Sequence, residues 1–194
     1  INHNWLQENI PMDKTIMKQF LESGFVYKGT LFPTEKGSPQ GGAISSLYAN
    51  MTLDGLEKLI QDKYHRNSKG NIENHYRAKT KVNLVRYADD FVITANTKEI
   101  AEELQVLVSE FLQKRGLTLS EEKTMITHID DGFDFLGWTF RKFKGKLIIK
   151  PSKTSINTLI RKCSTIILKE GKAVTQSQLI IRLNQVIRGW SNYH

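Results

Sequence analysis

The chain has 194 residues, of which 39% are hydrophobic and 25% are charged, a balance typical of a globular protein with a real core and not of a disordered chain. No apolar run approaches the roughly 18 residues that cross a bilayer, and no basic start leads into an apolar signal segment, so we expect no membrane association and a cytoplasmic location. The formal net charge of +8 points to an acidic partner, while the single cysteine, Cys163, excludes an internal disulfide and a cysteine-based zinc site.

The first part of the chain predicts two helices separated by a glycine-rich loop. Apolar residues at helical spacing indicate a helix from Met12 to Gly24, and an aromatic and β-branched segment, 25–32, follows it. The loop 33–42 contains three glycines and two prolines, and it opens into a predicted helix over 43–61. A loop that leads into a helix N-terminus is a favourable place for anions. Residues 65–81 are polar and basic without periodicity, which is typical of a connection.

The rest of the chain predicts two hairpins and three helices. The predicted strands are 82–87, 91–95, 133–140 and 146–150, and the predicted helices are 99–114, 152–169 and 175–189. Asp89 and Asp90 occupy the tip of the first hairpin, and the Lys144-Gly145 turn belongs to the second. Pro151 marks the expected boundary between a first domain, 1–150, and a helical second domain, 151–194. The fold class expected from this order is α+β.

The basic charge is concentrated after residue 140. From Arg141 onward there are 12 Lys or Arg residues and one acid, which gives +11, whereas residues 1–140 carry −3. One interpretation is a solvated, lysine-rich face, because many basic proteins bind nothing specific. The other interpretation is a surface that binds the phosphates of a nucleic acid.

Two adjacent acids at a β-turn also allow two interpretations. Asp stabilises tight turns and avoids burial, so Asp89 and Asp90 can be turn formers only. They also project from a rigid hairpin, where a hard cation can be coordinated. Mg²⁺ is held by one or two protein carboxylates with water and phosphate oxygens, which is the arrangement of two-metal phosphoryl transfer.

The tetrapeptide Tyr87-Ala88-Asp89-Asp90 resembles the catalytic box of reverse transcriptases, in the form found in group II intron and retron enzymes. Four further segments, in the order of that family, accompany it along the chain. They are Gly37-Ser38-Pro39-Gln40-Gly41-Gly42 with Ala43-Ile44-Ser45 and Ala49-Asn50, similar to the glycine-rich nucleotide and template motif; Gly116-Leu117-Thr118-Leu119 with Glu122-Lys123-Thr124, similar to the lysine-bearing motif; Phe133-Asp134-Phe135-Leu136-Gly137, similar to the primer grip; and Arg188-Gly189-Trp190 with Tyr193, similar to the start of the thumb or maturase region.

The resemblance implies a reverse-transcriptase palm, with antiparallel hairpins packed on helices, followed by the helical start of a thumb. It implies RNA-templated DNA synthesis by two-metal nucleotidyl transfer with Mg²⁺, together with assistance to intron splicing. The implied partners are a group II intron RNA template, a DNA primer and deoxynucleoside triphosphates.

The resemblance also assigns roles to individual residues. Asp89 and Asp90 would be the catalytic metal ligands. The nucleotide- and template-binding residues would be Gln40, Gly41, Tyr87, Ala88 and Lys123; the primer grip would be Phe135, Leu136 and Gly137; and the RNA-binding residues of the thumb would be Arg141, Lys142, Lys144, Lys146, Lys150, Lys153, Arg161, Lys162, Arg182 and Arg188.

One motif of the family does not occur in the sequence. The segment Ile1–Leu6 is similar to the residues that follow the first catalytic motif, so we expect that motif before Ile1, the chain to be part of a longer protein, and the chain alone to be inactive. Two alternatives to the polymerase interpretation stay open. The parent can act mainly as a splicing maturase that binds intron RNA, or it can be a retron or CRISPR-associated reverse transcriptase.

Overall fold

The computed structural model describes residues 1–33, 37, 44–67, 69–72 and 79–194. The chain divides into two compact units, Ile1–Ile126 and Thr127–His194. Helices alternate along the chain with small, separate antiparallel sheets, which confirms the predicted α+β class. None of the helices in these described ranges is both long enough and apolar enough to cross a bilayer.

The first unit begins with two short helices that share a core with a third. Its elements are α1 (His3–Asn9), α2 (Lys14–Glu22), β1 (Phe25–Tyr27), β2 (Thr30–Phe32), α3 (Ser45–Leu53), α4 (Leu56–Tyr64), β3 (Asn83–Tyr87), β4 (Asp90–Thr94) and α5 (Lys98–Gln113). The Asp13 carboxylate begins α2 by accepting hydrogen bonds of 2.9 Å from the Thr15 and Ile16 N–H groups. The apolar sides of α1, α2 and α3 then meet in a small core that includes Leu6, Met17 and Tyr48.

The predicted helix over 43–61 is wrong, because the chain forms two helices there. Asp54 is extended, with φ −62° and ψ 142°, and Gly55 adopts the left-handed conformation with φ 90°. A left-handed residue ends an α-helix, and glycine adopts this conformation without a steric penalty. The break lets α4 leave α3 at an angle that a continuous helix does not permit.

The β3–β4 hairpin packs on α4 and α5, as expected for hairpins that lie on helices. Alternate residues of the two strands, including Leu84, Phe91 and Ile93, pack against a core that α4 and α5 supply. Val85 and Tyr87 belong to the opposite face of the hairpin and are exposed. Thr97 begins α5 by accepting a hydrogen bond from the Ile100 N–H group at 3.3 Å. One face of the hairpin is therefore fixed to helices, and the other faces solvent.

The second unit is a three-stranded sheet followed by helices. Its elements are β5 (Phe133–Phe135), β6 (Trp138–Phe143), β7 (Lys146–Pro151), α6 (Lys153–Thr165), a π-helical turn (Ile166–Glu170), a 3₁₀ turn (Gly171–Ala173) and α7 (Gln176–Tyr193). The single strand predicted over 133–140 is wrong, because Leu136 and Gly137 have φ values of 49° and 77° and form a turn between β5 and β6. The two compact units meet in sequence between residues 126 and 127. The boundary expected at Pro151, between the first domain and the helical second domain, stays a prediction.

Candidate active site and nucleic-acid interface

The tip of the β3–β4 hairpin is a two-residue turn. Tyr87 pairs with Asp90 across the strands, so Ala88 and Asp89 form the turn and Asp90 is the first residue of β4. Ala88 has a φ of 54°, and this left-handed conformation costs an L-residue roughly 1–2 kcal/mol. Primed hairpin turns require such angles, because their twist matches that of the flanking strands. Tyr87, Ala88, Asp89 and Asp90, which the sequence singled out, are thus adjacent at an exposed tip.

In the described part of the chain, no basic side chain pairs with the two carboxylates at the tip. Both Asp89 and Asp90 are exposed, and neither side chain forms a hydrogen bond or ion pair with another described residue. No group of three or more His, Cys, Asp or Glu residues that could hold a metal ion occurs within the described ranges. Carboxylates are among the ligands that Mg²⁺ takes from proteins, and the ion completes its shell with several waters.

Arg86 connects this tip to α3, and the sequence analysis did not identify it. Its Nη1 donates to Oδ1 of Asn50 at 3.0 Å and to the carbonyl oxygen of Ala88 at 3.1 Å. Its Nη2 lies 3.4 Å from Oδ1 of Asp54. The available signal was its position two residues after Leu84, on the face of β3 that packs against helices, where a basic residue requires partners.

The glycine-rich motif is described only at its first residue. Gly37 accepts a hydrogen bond of 2.6 Å from Nε2 of His3, and its N–H group donates to the carbonyl oxygen of Ile1 at 3.1 Å. The predicted nucleotide- and template-binding residues Gln40 and Gly41 lie outside the described residues. The N-terminal segment therefore fixes the start of the motif.

Lys123 lies on an exposed turn, where its backbone N–H group donates to the carbonyl oxygen of Ser120 at 3.2 Å. In the described part of the chain, no hydrogen bond or ion pair links the Lys123 side chain to Asp89 or Asp90. Its predicted role in nucleotide binding thus stays a prediction.

The residues predicted as a primer grip form a turn in the second unit. Phe135 ends β5 opposite Trp138, and Leu136 and Gly137 make the connection to β6. The Leu136 carbonyl accepts a hydrogen bond of 2.6 Å from the Tyr193 hydroxyl, and the Gly137 carbonyl accepts one of 2.8 Å from the Ser152 N–H group. Both carbonyls of the turn are therefore used to attach it to α7 and to the start of α6.

The second unit carries most of the excess positive charge. Residues 127–194 have 12 basic and 4 acidic residues, whereas residues 1–126 have 16 of each. All ten basic residues predicted to bind RNA are exposed: Arg141, Lys142, Lys144, Lys146, Lys150, Lys153, Arg161, Lys162, Arg182 and Arg188. Arg182 forms an ion pair of 3.0 Å with Glu170, and Arg141 donates from Nε to the Asp130 carbonyl at 2.8 Å. Within the described part of the chain, the side chains of the other eight form no hydrogen bond or ion pair, and they are exposed to solvent, where phosphates can approach.

Two family models match the chain. The model of the reverse transcriptase (RNA-dependent DNA polymerase) family matches residues 2–140, and that of the group II intron, maturase-specific domain matches residues 156–194. The first match contains the hairpin with Asp89 and Asp90, and the second contains most of α6 and all of α7.

Several curated proteins are similar to the chain over part of their length. The group II intron-encoded protein LtrA of Lactococcus lactis subsp. cremoris is 30% identical, over 78% of this chain and 33% of the relative. Protein YkfC of Escherichia coli (strain K12) is 28% identical, over 63% of this chain and 37% of the relative. Maturase-like protein 1 of Euglena longa is 27% identical, over 77% of this chain and 28% of the relative. The chain thus spans about a third of the length of these relatives.

Proposed function

Because the chain belongs to the reverse transcriptases of the group II intron type, we propose that it forms part of an RNA-directed DNA polymerase that also assists intron splicing. The observation that carries the polymerase proposal is the pair of exposed carboxylates of Asp89 and Asp90, which have no partner among the described residues, on a hairpin held by helices. The substrates proposed for the whole protein are a group II intron RNA template, a DNA primer and deoxynucleoside triphosphates.

Asp89 and Asp90 would hold Mg²⁺, and their arrangement fits that ion. Adjacent carboxylates that have no partner among the described residues offer the hard oxygen ligands that Mg²⁺ prefers. A bound divalent cation stabilises negative charge on the oxygens of a nucleotidyl transfer. The protein supplies a fixed position for those ligands, because β3 and β4 are attached to α4 and α5 through their inward-facing side chains.

The remaining predicted residues would position the nucleic acids. We assign nucleotide and template binding to Gln40, Gly41, Tyr87, Ala88 and Lys123, and the primer grip to the turn Phe135–Gly137. Tyr87 is 67% exposed beside Asp90, so its ring is available to contact a nucleotide. The division into a palm, 1–150, and the start of a thumb, 151–194, belongs to the same proposal, as does the cytoplasmic location.

A role in splicing is supported by a separate observation. The ten predicted RNA-binding residues of the second unit are exposed, and they would bind phosphates without a metal. The group II intron maturase match lies in the same unit, which favours an intron RNA partner over the retron or CRISPR-associated alternative. RNA binding and polymerisation are compatible in one protein, because they depend on different residues.

The polymerase proposal is tested by Asp89→Asn in the intact protein that carries this chain. The isosteric amide keeps the turn but weakens metal coordination, so we expect primer extension on an RNA template to fall at least about 100-fold. Asp13→Asn is the matched control: Asp13 is an exposed helix cap in the same unit, and Asn is an equally good cap, so extension should not change. Wild-type extension by a folded Asp89→Asn protein would contradict the metal assignment. The same assay measures primer extension by the 194-residue chain alone, for which we expect no extension.

A further inference from the structure

Arg86 is placed to control the conformation of the carboxylate tip. Its side chain is 24% exposed and lies on the inward face of β3, directly before the segment Tyr87–Asp90. Among the described residues, the guanidinium has three acceptors, which belong to two different parts of the unit. Asn50 and Asp54 lie at the end of α3 and just after it, whereas the Ala88 carbonyl belongs to the turn itself. Arg86 therefore connects the turn to a helix.

The hydrogen bond from Arg86 reaches Ala88, the turn residue whose backbone conformation is the least favourable. Ala88 holds a left-handed conformation without being glycine, and within the described residues only β3 and β4 form the sheet that carries the tip. The hydrogen bond of 3.1 Å from Nη1 to the Ala88 carbonyl fixes the peptide that leads directly into Asp89. Rotation of that peptide would redirect the Asp89 carboxylate relative to that of Asp90.

The partners of Arg86 are themselves fixed. The Asn50 side chain donates from Nδ2 to the Ser46 carbonyl at 3.0 Å, which orients its Oδ1 toward Arg86. Asp54 supplies a negative charge at 3.4 Å, so the guanidinium is compensated without either carboxylate of the tip. Because the planar fork of arginine is occupied by these acceptors, Asp89 and Asp90 stay available for a cation.

We propose that Arg86 is a positioning residue for nucleotidyl transfer, which holds the Ala88-Asp89 peptide so that both carboxylates are presented to the divalent cation. The proposal rests on the proposed polymerase function. It requires that the loss of Arg86 weakens metal binding and slows the chemical step, while the binding of the incoming nucleotide changes little.

The test compares Arg86→Gln with Arg66→Gln in the intact protein. Arg66 also makes an ion pair, of 2.6 Å with Asp62, but it lies after α4. Its neighbour His65 donates from Nε2 to the Val82 carbonyl at 2.7 Å, just before β3 and at the end of the hairpin opposite the tip. Binding of Mn²⁺ is measured by electron paramagnetic resonance, and primer extension is measured over a Mg²⁺ and nucleotide titration. For Arg86→Gln we expect the Mn²⁺ Kd to rise about 10-fold, kcat to fall on the order of 10- to 100-fold, and KM for the nucleotide to change less than about twofold. Arg66→Gln should match the unsubstituted protein in all three quantities.

Asn50→Ala provides an independent variant, because it removes one acceptor and leaves Arg86 in place. We expect the same changes at smaller amplitude, and Arg86→Lys should restore only part of the kcat, because an ammonium group does not reproduce the arginine fork. If Arg86→Gln does not fold, Asn50→Ala decides the question. Unchanged Mn²⁺ affinity and kcat in the folded variant would overturn the positioning role. If the unsubstituted protein does not extend primers, or if Asp89→Asn extends them normally, the polymerase proposal fails instead.

Discussion

Arg115 is a basic residue that contributes to the core and not to the charged surface. Its guanidinium carbon lies 3.4 Å from the centroid of the Phe111 ring and 4.8 Å from that of the Trp5 ring. Nη1 donates to the Phe111 carbonyl at 3.0 Å, and the Arg115 carbonyl accepts a hydrogen bond of 3.0 Å from the Asn2 N–H group. Burial lowers the pKa of Arg115 from its ordinary value. The residue thus joins the end of α5 to the N-terminal helix.

Replacing Arg115 by Ala should therefore destabilise the first unit. The substitution removes two cation–π contacts and the bond to Phe111, so we expect the free energy of unfolding to fall by about 1–2 kcal/mol. Urea denaturation followed by circular dichroism measures it. The neighbouring Lys114 is exposed and serves as the control, because Lys114→Ala should change stability by less than about 0.5 kcal/mol. Equal stability of the two variants would show that the ring contacts contribute nothing.

At the scale of elements, the sequence predicts those whose periodicity is local and uninterrupted. The predicted helix 99–114 corresponds to α5, and the predicted hairpin at 82–95 corresponds to β3 and β4, because each pattern has a clear start and stop. The predictions over 43–61 and 133–140 are wrong, since apolar spacing continues through the breaks at Gly55 and at Leu136-Gly137. A left-handed residue inside an apolar pattern leaves the spacing unchanged and is visible only in the backbone angles.

In the candidate site, too, the features carried by local sequence were predictable and the long-range contacts were not. The motif located Asp89 and Asp90 at the hairpin tip, because four consecutive residues carry the signal. The contacts of Arg86 were not predictable from spacing, since Asn50 and Asp54 precede it by 36 and 32 residues. Contacts of this kind depend on how α3 packs beside β3, which no local pattern encodes.

Substitution of two glycines by alanine tests the break between α3 and α4 against the interior of a continuous helix. Gly55 has a φ of 90°, and a Cβ added there meets only Phe111 at 4.0 Å, so the cost of Gly55→Ala is conformational, about 1–2 kcal/mol. Gly189 lies within α7, and a Cβ added there meets nothing within 4 Å. Gly189→Ala should raise stability by about 0.5–1 kcal/mol, because alanine loses less backbone entropy in a helix. Thermal unfolding of both variants measures the difference, and a stabilising Gly55→Ala would contradict the break between α3 and α4.

At the scale of the whole molecule, charge separates the two units. The first unit has equal numbers of acidic and basic residues, and it contains the two carboxylates proposed for cation binding. The second unit has 12 basic against 4 acidic residues. A polyanion is attracted by the second unit, whereas the first contributes no net charge. Affinity for RNA should therefore depend mainly on the second unit. The proposed nucleotidyl transfer should depend mainly on the first unit.

The last prediction is that the 194-residue chain binds RNA with an affinity that falls steeply as salt rises, and that the second unit causes the fall. Each phosphate of a single strand that the protein neutralises contributes about −0.7 to the slope of log K against log salt. Four lysines of the β6–β7 hairpin, Lys142, Lys144, Lys146 and Lys150, are exposed, and changing all four to Gln should reduce that slope by up to about 3. The control changes four exposed lysines of the first unit, Lys14, Lys18, Lys58 and Lys98, to Gln, which alters the net charge by the same amount. Filter binding between low and moderate salt gives both slopes. A flat salt response of the unsubstituted chain, or equal slopes for the two variants, would show that the hairpin lysines are a solvated face and not a phosphate-binding surface.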